Sequence, residues 1–135
     1  MLFKRAQITS MGQEVPARVR QGAGEVSNLA VSTVATDAAV TMTVDQMAGG
    51  AIVYSGFTAG RVITTPTAAL ILAAATDMDI GDSFSFTVSI TPAFAGTWSA
   101  GVGVTLAGRA TVPASSSSYV VVTKTSSTTV TWTGL

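Results

Sequence analysis

The chain has 135 residues, enough for one domain with a real core. Its formal net charge is +0 with 10% charged residues, which excludes the concentrated basic surface that nucleic-acid binding requires. With no cysteine and no histidine there is no disulfide framework, no thiolate chemistry, and neither the commonest general base nor the commonest transition-metal ligand.

Hydrophobic residues make up 47%, too many for a disordered chain. So little charge is poor for the colloidal solubility of a lone monomer. Part of the surface is therefore expected to be covered by copies of the chain or by another protein. The longest apolar run, residues 68–75, is far short of the ~20 residues of a spanning helix, so no membrane partner is expected. The opening Met1-Leu2-Phe3-Lys4-Arg5 lacks the order of a signal peptide.

Residues 1–37 hold Gly12, Pro16, Gly22, Gly24 and scattered charges, with no sustained apolar period. They read as an N-terminal arm or loosely structured segment. Lys4, Arg5, Arg18 and Arg20 make its first part mildly basic against Glu14, which suits solvent or an acidic partner surface. Residues 26–34 fit a short strand or a short helix.

From Ala38 the pattern becomes regular. Val40, Met42 and Val44 alternate with Thr41, Thr43 and Asp45, as in a half-buried strand, and Gly49-Gly50 breaks the run. Residues 51–54 and 61–64 read as two strands with 55–60 as a hairpin connection. One helix follows, with Thr65 as N-cap, Pro66 at its first position and an Ala/Leu/Ile run to Ala75. Ile80-Gly81-Asp82 then leads into Ser83-Phe84-Ser85-Phe86-Thr87-Val88-Ser89-Ile90. Period-two alternation puts the apolar residues on one face and hydroxyls on the other. Further short strands are expected at 96–99, 102–106, 109–112, 119–123 and 128–133. Turn signals every eight to twelve residues suggest a sandwich or barrel.

The blocks Gly49-Gly50, Thr64-Thr65-Pro66-Thr67-Ala68-Ala69, Ile80-Gly81-Asp82-Ser83-Phe84 and Gly101-Val102-Gly103-Val104-Thr105-Leu106-Ala107-Gly108, with the Thr/Val-rich ending, resemble a module of tailed-phage virion proteins. That module occurs in capsid decoration (cement) proteins and in head or tail fibre proteins. The resemblance covers about residues 38–135. It implies a small, commonly trimeric β domain on a virion surface, with no catalytic residues to carry over. In decoration proteins it clamps neighbouring major-capsid subunits, and in fibres it forms a receptor-contacting tip.

Other constellations have ordinary readings beside them. Asp77, Asp79 and Asp82 around Gly81 offer oxygens to a divalent cation, or simply end the helix in a solvated turn. Residues 115–118 are a serine run, but a Ser-His-Asp triad is impossible without histidine, and a Ser-Lys pair would need Lys4 or Lys124, which sit in no motif. Gly101-x-Gly103 precedes a strand, not a helix N-terminus, so it is no phosphate cradle. Trp98, Trp132, Tyr54, Tyr119 and Phe57 fit a sugar-stacking platform, or core or subunit-interface aromatics; Trp98 and Trp132 are candidates for a subunit interface, with Trp132 packing against a neighbouring chain or capping the sandwich.

The expectation is thus an all-β domain over residues 38–135, a sandwich, jelly-roll-like or tulip domain with one short helix, preceded by an arm over residues 1–37. The expected function is non-enzymatic, without cofactor or metal. The chain would cement a phage capsid as a homotrimer on the virion surface, bound to the major capsid protein, with Lys4, Arg5, Arg18 and Arg20 touching the shell. A receptor- or glycan-binding fibre head is the competing expectation.

Overall fold

A computed structural model describes residues 30–135. The strands are β1 (Ala30–Val34), β2 (Val40–Thr41), β3 (Gly50–Tyr54), β4 (Arg61–Thr64), β5 (Ser83–Ile90), β6 (Gly96–Ser99), β7 (Val104–Gly108), β8 (Thr111–Val112), β9 (Ser116–Lys124) and β10 (Val130–Gly134). Helices α1 (Val44–Ala48) and α2 (Ala68–Ala74) join β2 to β3 and β4 to β5.

The strands form two sheets. One has six strands in the order β1-β3-β5-β9-β10-β7, and the other has four in the order β2-β4-β6-β8. Up to β8 the chain alternates between them, so each odd strand crosses to the other sheet before the chain returns. Successive passes stack side by side, which makes β1, β3 and β5 parallel, and likewise β2, β4 and β6. Among the described residues only β9 and β10 form a local hairpin, and β9 also pairs antiparallel with β5.

The core lies between the sheets. Ile52, Tyr54, Phe86, Val88, Val120 and Val122 face inward from the larger sheet, and Ile63, Trp98 and Val112 from the smaller one. The alternation read at 83–90 holds: Phe86, Val88 and Ile90 are buried, and Phe84 packs against the same cluster from the strand's end.

The described residues are strand-rich, at 46% strand and 11% helix, so the coarse expectation of a β protein in two sheets holds. Its parallel pairings do not follow from the hairpins expected at 51–64. β3 and β4 lie in different sheets, and residues 55–60 arch from one to the other. Residues 42–48 also differ from expectation. Only Val40–Thr41 is strand, because Thr43 and Gln46 form a capping box that starts α1. The second helix begins two residues later than expected. The Thr65 hydroxyl is occupied, donating to the Pro66 carbonyl and accepting from the Gly101 amide, both at 2.9 Å, so Thr67 caps the helix by accepting from Leu70 N–H. Of the strand or helix expected within residues 26–34, Ala30–Val34 is a strand, at the edge of the larger sheet.

Candidate functional site

The broadest surface is the outer face of the six-stranded sheet. Register fixes which side chains share it. Val53 neighbours Ser89, which neighbours Ser117; Thr87 neighbours Tyr119; Val121 neighbours Thr133, which neighbours Ala107. No outward position of the six strands carries a charge. The outward positions of the smaller sheet, such as Val62, Thr64, Thr97 and Thr111, are uncharged as well. Among residues 30–135 the charged side chains belong to helices, loops and strand ends.

Hydroxyls on the large face bond to one another across strands. Ser83 and Thr123 share a hydrogen bond of 2.7 Å, Ser89 and Ser117 one of 2.6 Å, and Ser85 donates to the Tyr119 hydroxyl at 3.3 Å. A buried hydroxyl left unpaired costs about 1–3 kcal/mol on mutational evidence. Those already paired within the face lose little when a partner displaces water. The face is therefore uncharged, partly apolar through Val31, Val53, Tyr119 and Val121, and cheap to desolvate.

A second feature is an apolar cleft of about 530 Å³ at the carboxyl ends of β2, β4 and β6, where the two helices begin. Met42, Val44, Pro66, Leu70 and Val102 line it, with Leu70 and Val102 exposed. Nothing in the sequence marked it, because it joins three loops that are remote in the chain.

At the opposite end, Asp37 fastens the β1–β2 loop to the β3–β4 arch. Its carboxylate accepts from the Thr58 amide at 2.9 Å, from the Thr58 hydroxyl, and from Arg61 Nε at 3.0 Å, with Arg61 Nη2 at 2.8 Å. The Thr58 hydrogen bonds, with help from the Arg61 guanidinium, lower the Asp37 pKa from its ordinary 3.8 to about 2.

Several sequence-derived candidates fall elsewhere. Trp98 and Trp132 are not placed for a subunit interface. They are 5% and 0% exposed and meet edge-to-face at 5.2 Å inside this chain's own core. Tyr54 and Phe57 are also buried and stack on each other at 5.5 Å, and burial pushes the Tyr54 hydroxyl well above its ordinary range. Tyr119 is the exposed member of the group, so these aromatics form no outward platform.

Asp77, Asp79 and Asp82 form the turn after α2. The Asp82 carboxylate accepts from the Asp79 amide at 2.9 Å, and Lys124 Nζ donates to the Met78 carbonyl at 2.9 Å. Among the described residues no three acidic side chains gather as a metal site would require. Lys4, Arg5, Arg18 and Arg20 lie outside the described residues.

Comparisons with protein-family models, curated proteins and solved structures found no match.

Proposed function

We propose that this chain is a non-enzymatic structural protein of a phage virion, which decorates and stabilises the capsid by binding the major capsid protein. The observation that carries the reading is the uncharged outer face of the six-stranded sheet, on which three hydroxyl pairs bond across strands. Such a face suits a permanent, mostly apolar protein contact without dedicated chemistry. The virion as location, and self-association as a homotrimer, come from the resemblance of residues 38–135 to decoration proteins. The basic residues Lys4, Arg5, Arg18 and Arg20 would add contacts to the shell.

Electron cryo-microscopy of the particle tests this directly. Density for the chain at many threefold or quasi-threefold positions is the expected result. Density confined to a tail or a single vertex would replace the reading with a fibre head. Removing residues 1–24 tests the basic contacts separately, and unchanged capsid binding would eliminate them.

A further inference from the structure

The six-stranded sheet ends in β1 on one side and β7 on the other, and among the described residues neither has a strand beyond it. Exposed edges of this kind are usually blunted by charge, proline or a bulge. Both edges here are five residues long, Ala-Val-Ser-Thr-Val and Val-Thr-Leu-Ala-Gly, with no charge and no proline. The edge at β7 is also unfinished on its inner side. Leu106 neighbours the buried Trp132 on the core face, yet it is 36% exposed.

The directions of the two edges decide what fits them. β1, β3 and β5 are parallel, β9 reverses, β10 reverses again, and β7 is parallel to β10. β1 and β7 therefore run the same way. The geometry points to a second copy of this chain as the occupant of the β7 edge, its β1 adding in parallel, with Leu106 opposite Ser32. This inference deepens the self-association part of the proposed function and rests on that part alone.

Matching the strands end to end keeps faces consistent. Ser32 and Leu106 both face inward, while Val31 and Thr105 both face outward. The same register brings the exposed Arg109, just after β7, beside Ala35 of the next copy and within two residues of its Asp37. A two-fold pairing of β7 with β7 would instead set Arg109 beside Gly103, with no acidic residue nearby. A rotation about an axis along the strands preserves strand direction, so head-to-tail contacts can close into a ring. A five-residue strand is only about 17 Å long, so one such contact falls below the roughly 800 Å² per partner of a standard interface. Ring closure gives every chain two.

The absence of cysteine from the sequence makes the test clean. Ser32 and Leu106 sit on opposite edges, about 24 Å apart across five strand spacings, too far for a disulfide within one chain. Under mild oxidation the S32C/L106C double variant is expected to form covalent oligomers up to a trimer. A mixture of the S32C and L106C single variants should form dimers, and neither alone should cross-link faster than V62C, an exposed control on the other sheet. Light scattering should approach three times the 13.6 kDa of one chain at high concentration, and L106K should shift it toward the monomer. Rapid cross-linking of L106C alone would establish two-fold pairing and overturn the proposal. A monomeric mass with no cross-linking of the mixture would also overturn it. No capsid is present in these measurements, so their failure leaves docking of the outer face to be judged by the particle experiment.

Discussion

Replacing Trp132 in two ways separates packing from hydrogen bonding in the core. Trp132 is fully buried and meets Phe86 and Trp98 edge-to-face at 5.3 and 5.2 Å. Its indole N–H has no hydrogen-bond partner. Truncation to alanine removes the largest fully buried side chain, and such changes cost about 3–5 kcal/mol. The two ring contacts place this site at the upper end. A domain of this size has about 5–15 kcal/mol in total, so W132A should be barely folded. W132F keeps a ring in place and opens a cavity of about 40 Å³, worth about 1 kcal/mol at ~24 cal/mol per Å³. It also removes a buried unpaired donor, a gain of about 1–3 kcal/mol. The two effects offset, and W132F should lie within about 1 kcal/mol of the parent or slightly above it. Urea unfolding followed by Trp98 fluorescence measures both. If W132F loses as much as W132A, the indole N–H is doing unrecognised bonding and the reasoning fails. A loss that varied with protein concentration would instead restore Trp132 to a subunit contact.

Asp37 supplies a pH dependence. Its folded pKa is lowered to about 2 from 3.8, so its contribution is complete above the unfolded value and disappears as pH falls through about 2. D37N should therefore have a lower melting temperature than the parent at neutral pH, and the difference should vanish on acidification across that window. S85K places a charge in the middle of the outer face, at an exposed position. Stability should change by no more than about 0.5 kcal/mol, whereas co-sedimentation with capsids should be lost. Gly101→Ala would bring a methyl group to 2.7 Å from the backbone oxygens of Thr65 and Pro66, so the backbone itself would have to shift. A loss of about 1–3 kcal/mol in denaturant unfolding is expected, and a neutral result would mean that the loop shifts freely.

What the sequence revealed depended on the range of the interaction. Period-two alternation at 83–90 is a property of one strand, and its faces were readable to the residue. The capping of α1 was readable too, since Thr43-x-x-Gln46 is a capping box, but the apolar alternation of Val40, Met42 and Val44 obscured it. Strand partners were not readable. An arch and a hairpin use the same turn residues, and nothing local in residues 55–60 says that β4 leaves the sheet of β3. Trp98 and Trp132 illustrate the same limit. In sequence, Trp132 fits a contact with a neighbouring chain or a cap on the sandwich equally well, and only the register, which sets it between Leu106 and Val122, seats it against Phe86. The uncharged outer face was half visible as hydroxyl alternation in one strand. Its extent across six strands needed the register.

The face and the edges are coupled through area. Among the described residues, charges sit in helices, loops and strand ends, where desolvation is costly, so a large contact of this part must use the broad faces or the free edges. Four strands of five residues, one of eight and one of nine, spaced about 4.8 Å apart with about 3.4 Å per residue, present roughly 600 Å² per chain. That is below the roughly 800 Å² per partner of a stable interface, whereas three chains together exceed it. A single chain should therefore dock weakly and a ring firmly, because the second and third contacts form at high effective concentration. L106K, which alters an edge and leaves the outer face untouched, should accordingly weaken capsid binding by an order of magnitude or more, and covalent S32C/L106C rings should bind at least as well as the parent. Equal binding by the L106K monomer would show that one chain's face suffices, and the link between assembly and docking would fall.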